Sequence, residues 1–463
     1  MTDKFVTPLT LTNLNVLLQE SFIAGFKPDE LTAVDALFTN FMQQYLVPGM
    51  SVAITQGGRL VYAQGFGVAQ KWNPAIAIFQ TPEPVTVWHR FRIASLSKPI
   101  TSVAIFKLID QQQLALDRPV FGAGGALGTN FGFDSLPAEQ ADLLAQITVQ
   151  HLLEHTSGGW SNDNRDPMFI MPELNQQELI TWVLRNRPLD HVSGTVWSYS
   201  NFGYCLLGRV IEQVSGQPYA DFVRKEVLAG CGITTMDIAG DTLAEKKPRE
   251  VVYYGQPFFQ KVSAGGATVG LKFEDDPYAI PVSRMDSHGG WIASAVDLVR
   301  FASRIDSLLT PASLKTMTTP TTVRKLEGED ANYGKGWVIA DYRIGPQHGP
   351  FSVQHNWAHD GSLPGTTSLL VRSSNGFCWA ALINTRQATT TQNLSVPFCT
   401  TMPSDLDLCT MWRLWAGPPV YNSVFNGPVG TGVGLVSQWP TDDRFYYYDD
   451  PVSGVRPGAV AFF

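Results

Sequence analysis

No apolar run in this chain approaches the ~20 residues that a helix needs to cross a bilayer, and Met1-Thr2-Asp3-Lys4-Phe5 is not followed by the apolar core of a signal peptide. A soluble, cytoplasmic protein without a membrane span is therefore expected. Basic charge is scarce: 33 Lys and Arg stand against 41 Asp and Glu, giving a net charge of −8, and no basic patch forms. That argues against nucleic acid as a partner, because phosphate binding needs clustered Lys and Arg. Cysteine is sparse as well. Cys205, Cys231, Cys378, Cys399 and Cys409 are an odd number without a C-x-x-C pair, which disfavours both a zinc site and a disulfide framework. Cys205, within a helical pattern, and Cys378, in an apolar strand, read as core packing. The eight histidines show no H-E-x-x-H spacing, and His151 and His155, four apart around Leu152 and Leu153 on a predicted helix, read as structural. No metal and no cofactor are expected. Internal repeats are also missing. What the chain does have is apolar mass: 463 residues at 44% hydrophobic content can bury one large core or two fused lobes.

One short run carries chemistry. In Ile93-Ala94-Ser95-Leu96-Ser97-Lys98-Pro99 a serine and a lysine stand one helical turn apart at a helix start. Residues three apart share a helix face, so the Lys98 amine can reach the Ser95 hydroxyl. A serine hydroxyl is a poor nucleophile until a neighbour takes its proton or stabilises the alkoxide. Pro99 fits only the first helical turn, which sets Ser95 at the positive end, where unpaired N–H groups meet developing charge. Ile100, Val103, Ala104 and Leu108 continue the pattern of a helix buried on one side. By itself an S-x-x-K match is weak, since about one is expected by chance in a chain of this size.

Two further segments keep it company. Trp197-Ser198-Tyr199-Ser200-Asn201 runs into Leu207, Val210, Ile211 and Val214 at helical spacing, which puts Tyr199 and Asn201 in a loop opening a helix. Either Ser200 or Asn201 could simply cap that helix. His359-Asp360-Gly361-Ser362-Leu363-Pro364-Gly365 lies between predicted strands and by itself reads as a Gly/Pro turn with an exposed histidine.

Together and in this order, the three segments resemble the signature of the β-lactamase and penicillin-binding-protein superfamily of serine enzymes, whose class A form is S-x-x-K, S-D-N, K-T-G. With Y-x-N as the second element and H-x-G as the third, the chain is most similar to class C β-lactamases, family VIII carboxylesterases, D-aminopeptidases and certain acyltransferases. Val47-Pro48-Gly49 through Gly67, Ile147 through Gly159 and Gly289 through Ser294 resemble further segments of that family, and the likeness spans roughly residues 28 to 416. The resemblance implies that Ser95 attacks a carbonyl and that Lys98 with Tyr199 moves the proton, either one serving as the base. It implies that Asn201 holds Lys98 and the substrate acyl chain. The backbone N–H groups of Ser95 and Ser362, the latter following His359-Asp360-Gly361, would form the oxyanion hole. Where penicillin-recognising relatives usually carry a lysine, this chain has His359, mostly neutral at pH 7, with Asp360 adding negative charge. Both changes favour neutral or amine-bearing esters and amides over penicillins.

Element order supports an α+β fold. An early helix through Leu31, Val34, Leu37, Phe38 and Phe41 precedes strands at Ser51 to Thr55 and Leu60 to Gln64, joined by a Gly57-Gly58 hairpin. Strands return near Ser352 to His355, Thr367 to Arg372 and Phe377 to Ile383, and a closing helix carries Leu408, Met411, Trp412 and Trp415. The expectation is one antiparallel sheet built from both chain ends and flanked by helices, with an all-helical lobe at about 100–285 inserted and the active site in the cleft between them. Residues 1–416 would form this β-lactamase/transpeptidase-like domain. Residues 417–463, rich in Gly, Pro and aromatics, would be an extension packed on the body or on a neighbouring chain. Trp160, Trp197, Trp291 and Trp357 fall near the motif segments and read mainly as core.

The function expected is a serine hydrolase acting on a small ester, amide or short peptide. Acyl transfer or D-amino-acid amidase and peptidase activity with the same residues is the main alternative, because hydrolysis and transfer share the acyl-enzyme. A β-lactamase or DD-peptidase, and a non-catalytic structural relative, complete the alternatives.

Overall fold

The computed structural model describes residues 24–26, 32–45, 47–70, 82–163, 165–255, 258–259, 271–272, 276–343, 353–374, 376–386 and 445. Strand β1 (Ala24–Phe26) is followed by helix α1 (Thr32–Tyr45) and the long hairpin β2 (Gly49–Gln56) and β3 (Arg59–Gln70). Gly57 and Gly58 turn that hairpin at φ 56° and 79°, which side chains rarely adopt and glycine adopts freely. Short strands β4 (Glu83–Pro84) and β5 (Phe91–Arg92) lead into helix α2 (Ser97–Asp110). A predominantly helical stretch comes next: α3 (Ala138–Leu144), α4 (Val149–Leu153), α5 (Gln176–Asn186), α6 (Asn201–Ser215) and α7 (Tyr219–Val223). Strands β6 (Asp237–Ile238), β7 (Phe258–Phe259), β8 (Leu271–Lys272) and β9 (Trp291–Ala293) precede helices α8 (Ala295–Leu308) and α9 (Pro311–Thr318). The chain then returns to the sheet with β10 (Val338–Arg343), β11 (Val353–Leu363), β12 (Thr366–Arg372) and β13 (Phe377–Ile383).

The main sheet is antiparallel, in the order β1-β3-β2-β13-β12-β11-β10, with β4 on the outer side of β3. Its centre is the pairing of β2 with β13, so both ends of the described chain meet there, as expected. Side chains alternate across the two faces with period two. Trp379, Ala381 and Ile383 pack with Val34, Phe38 and Met42 of α1, whereas Cys378, Ala380 and Leu382 join the larger core with Val299 and Ala302 of α8. Cys205, Cys231 and Cys378 are buried free thiols.

Three sequence expectations change. The 100–285 region is not purely helical, because β6 pairs with β9 and β7 with β8. Helix α2 is not one-sided: every residue from Ser97 to Phe106 is buried, because α6, α7, α8, α9 and the turn at Arg224–Leu228 pack around it. His359 through Leu363 form strand rather than turn, since Ser362 and Leu363 pair with Thr367 and Thr366. The turn is Pro364-Gly365 alone, with Gly365 at φ 75°. The closing helix and the extension 417–463 lie outside the described residues except for Phe445, whose buried ring carries the Arg300 guanidinium at 4.3 Å. Among the described residues no helix is long and apolar enough to cross a membrane.

Candidate active site

The site is built where α2, the start of α6, and strand β11 converge. Ser95 lies in a 3₁₀ turn, Ala94–Leu96, that leads directly into α2. Ala94 holds φ 48°, a left-handed conformation that costs a non-glycine residue about 1 kcal/mol or more. Three contacts hold the turn: Ser97 Oγ donates to Ala94 O at 2.8 Å, Ile93 N to Trp291 O at 3.0 Å, and Ser368 Oγ of β12 to Ile93 O at 2.7 Å. Strand β11 crosses at Gly361. A Cβ there would stand 2.3 Å from Ile93 O and 3.0 Å from the Ser95 nitrogen, so only glycine lets the strand lie against the Ser95 turn.

Lys98 is fully buried. Its Nζ reaches Ser95 Oγ at 2.9 Å, Asn201 Oδ1 at 2.7 Å and the His288 carbonyl at 3.0 Å. Burial lowers its pKa to about 7, against the opposing pull of the Asp166 and Asp360 charges. A neutral amine has two N–H groups and one lone pair. The Asn201 oxygen and the His288 carbonyl accept both hydrogens, so the lone pair is left for the Ser95 hydroxyl.

Tyr199 and Asn201 arrive together at the start of α6. Ser200 is the cap, its Oγ accepting from Gly203 N at 3.0 Å, which frees both neighbours from capping duty. The Tyr199 hydroxyl hydrogen-bonds to Ser95, and its ring lies 4.7 Å from Lys98 Nζ. Withdrawal from water raises the Tyr199 phenol well above its ordinary value despite the Ser95 hydrogen bond, so it stays protonated. His155, at the end of the turn after α4, packs against the Tyr199 ring at 4.3 Å and accepts from Ser200 N through Nδ1 at 3.1 Å.

His359 does not face solvent. Its Nδ1 donates to the Asp360 carbonyl at 2.6 Å, which leaves Nε2 to accept from the Tyr333 hydroxyl at 3.2 Å. Burial, helped by the Lys98 charge, drives its pKa down to about 3, so it is neutral. Strand alternation puts His359 and Gly361 on the face toward Ser95. Asp360 falls on the opposite face, paired across the ladder with Leu369. Ser362 is partly exposed, one residue past the Gly361 crossing. The structure thus brings Ser95, Lys98, Tyr199 and Asn201 into one network, with Gly361 against it and His359 behind Tyr199.

Sequence reasoning missed Asn162, Asp166 and Tyr333. Asn201 Nδ2 donates to Asn162 Oδ1 at 3.1 Å and to Asp166 Oδ2 at 2.7 Å. These residues sit in irregular segments without periodicity, so only a spatial neighbour reveals them. His151 and His155 do not share a helix, because α4 ends at Leu153 and His155 takes φ 61°. Among the described residues no cluster of His, Cys, Asp and Glu could hold a metal ion. Trp160 and Trp291 are core, as expected, whereas Trp197 packs beside His155.

Known proteins resemble this chain in sequence and in fold. The family model described as Beta-lactamase matches residues 34–394. Penicillin-binding protein 4* of Bacillus subtilis (strain 168) is 27% identical over 356 residues, spanning 75% of this chain and 70% of its own length. Esterase EstB of Burkholderia gladioli is 25% identical over 286 residues, 58% of this chain and 68% of its own. In fold, D-amino acid amidase from Ochrobactrum anthropi SV3 complexed with L-phenylalanine amide superposes with a TM-score of 0.57 at 24% identity, covering 77% of this chain and 92% of the amidase.

Proposed function

This chain belongs to the Beta-lactamase family of serine hydrolases, and we propose that it cleaves carboxylic esters or amides through an acyl-enzyme on Ser95. The observation that carries the reading is the Lys98 environment: two hydrogen-bond acceptors, a pKa near neutrality and a lone pair left for Ser95. Lys98 takes the Ser95 proton as Oγ bonds to the substrate carbonyl carbon. The resulting ammonium keeps the Asn201 and His288 acceptors and lies against the Tyr199 ring. Tyr199, held protonated, hands its proton to the departing alcohol or amine and is replenished from Lys98. The backbone N–H groups of Ser95 and Ser362 receive the oxyanion, an arrangement worth several kcal/mol. Water then repeats the sequence in reverse and releases the acid. No metal or cofactor enters any step.

His359 bears on the substrate. A buried, neutral imidazole bonded to Tyr333 supplies no cation for a substrate carboxylate, which supports neutral or amine-bearing esters and amides over penicillins. Transfer of the acyl group to an acceptor other than water uses the same residues, and the likeness to a D-amino acid amidase fold keeps amides beside esters. The cytoplasmic location expected from the sequence belongs to this reading and is checked by cell fractionation.

The test is intact-protein mass spectrometry after incubation with a fluorophosphonate and, separately, with a panel of acyl esters, amides and a penicillin. A single adduct that disappears in Ser95→Ala is expected, formed from esters or amides faster than from the penicillin. No adduct from any probe overturns the reading.

A further inference from the structure

Of the buried carboxylates that the mechanism above does not use, Asp166 is the one hydrogen-bonded to Asn201. Asp166, 2% exposed, is carried beneath Asn201 by the irregular segment between α4 and α5. Its Oδ1 accepts from Met168 N at 2.9 Å and its Oδ2 from Asn201 Nδ2 at 2.7 Å. The second Asn201 amide hydrogen goes to Asn162 Oδ1 at 3.1 Å. Both hydrogens of the Asn201 amide are therefore taken on the side away from Lys98.

An ionised carboxylate only accepts hydrogen bonds. Turned by half a rotation, the Asn201 amide would set its oxygen against Asp166, acceptor against acceptor, and its N–H groups against Lys98 Nζ. Those N–H groups would claim the lone pair of the neutral amine, and Ser95 would lose its base. An asparagine next to a lysine amine is by its own chemistry free to adopt either orientation. A partner that cannot donate removes the choice.

We propose that Asp166 is a positioning residue that locks the Asn201 amide with its oxygen toward Lys98 and thereby reserves the Lys98 lone pair for the Ser95 hydroxyl. The inference rests on the hydrolase reading and deepens it. Burial pushes Asp166 up to about 6, offset in part by its hydrogen bonds from Met168 and Asn201 and by the Lys98 charge, while Asp163 nearby raises it further. At neutral pH it is ionised and the lock is closed. Below that value it gains a hydroxyl that can donate to a turned amide, so the lock loosens over the same span in which Lys98 takes up its proton. The other groups that bear on Lys98 are Asp360, whose charge raises it from the far face of β11, the neutral His155, His288 and His359, and the protonated Tyr199 and Tyr204.

The experiment measures the rate of Ser95 labelling by a fluorophosphonate from pH 5 to 9, with thermal unfolding recorded for every variant. Asp166→Asn keeps the size of the side chain but can donate, so labelling at pH 8 falls by about tenfold or more. Its acid limb moves to lower pH, because Lys98 loses a charge that raised it. In an Asn201→Ala background the same substitution has no further effect beyond about twofold, since the lock has nothing left to hold. The pair Asp166→Glu and Asp166→Gln, equal in size, decides the matter independently should Asp166→Asn not fold: the glutamate labels about tenfold faster or more. Wild-type rates and an unmoved limb in Asp166→Asn, equal rates in the Glu and Gln pair, or an undiminished effect in the Asn201→Ala background overturn the lock. Wild-type protein that takes no label at Ser95 overturns the hydrolase reading itself, and the lock with it.

Discussion

Lys98 Nζ stands 2.9 Å from Ser95 Oγ and 3.0 Å from the His288 carbonyl, so the backbone that leads into β9 helps aim the amine at the serine. In the proposed mechanism the free amine is the active form, and burial places its pKa at about 7. Turnover of a p-nitrophenyl ester, as kcat/KM, should rise about tenfold per pH unit below that value and level off above it. In Lys98→Arg, whose guanidinium stays charged throughout, activity should be lost across the whole range. A limb near pH 10, the ordinary lysine range, would contradict this assignment.

Tyr199→Phe keeps the ring beside Lys98 and removes only the hydroxyl. Substrates whose leaving group needs a proton, such as amides and alkyl esters, should lose about a hundredfold or more in kcat. p-Nitrophenyl esters, whose phenolate departs unaided, should lose roughly tenfold or less. The ratio of the two losses is the readout, and equal losses would assign Tyr199 to another task.

Gly361→Ala forces a methyl group against Ile93 O, the Ser368 hydroxyl and the Ser95 nitrogen. Because two of those neighbours are backbone, strand β11 must move away from the Ser95 turn. Unfolding free energy should drop by about 1–3 kcal/mol, and Ser95 labelling should drop by about a hundredfold. A variant with reduced stability but wild-type labelling would separate the fold from the site.

Lys335 and Glu154 form an ion pair at 2.6 Å with both side chains nearly enclosed, at 5% and 7% exposure. The pair joins the turn that carries His155 to the loop that carries Tyr333, and both rings flank Tyr199. Lys335→Met leaves a buried carboxylate without its cation, held by the Gln150 amide at 3.1 Å, and should cost about 3 kcal/mol. Adding Glu154→Leu should recover most of that, which a denaturant-unfolding double-mutant cycle would show.

The parts of the site that follow a periodic rule were legible in the sequence. Ser95 and Lys98 are one helical turn apart, Tyr199 and Asn201 announce themselves at the head of an apolar helical pattern, and the Gly57-Gly58 hairpin is a local turn. Asp166 and Tyr333 were not legible, because their meaning arises only from which distant side chain they meet. The strand character of His359 to Leu363 was hidden by Gly361 and Pro364, residues that look like a turn until the close approach to Ser95 explains the glycine. The burial of α2 on every side was hidden too, since a one-sided apolar stripe is what a helix pattern reveals, and enclosure by helices distant in sequence is a property of topology.

The pairing of β2 with β13 has a consequence in time. Thr55 hydrogen-bonds to the Cys378 carbonyl across 323 residues of chain, and the strand that presses Gly361 against Ser95 is also made late. During synthesis the serine and lysine emerge long before the strands that hold their turn in its strained shape. Contacts this far apart in sequence form slowly, after the entropy of closing the intervening loop has been overcome. On the proposed mechanism, the nascent chain therefore carries its serine and lysine without a working site until the last strands close the sheet.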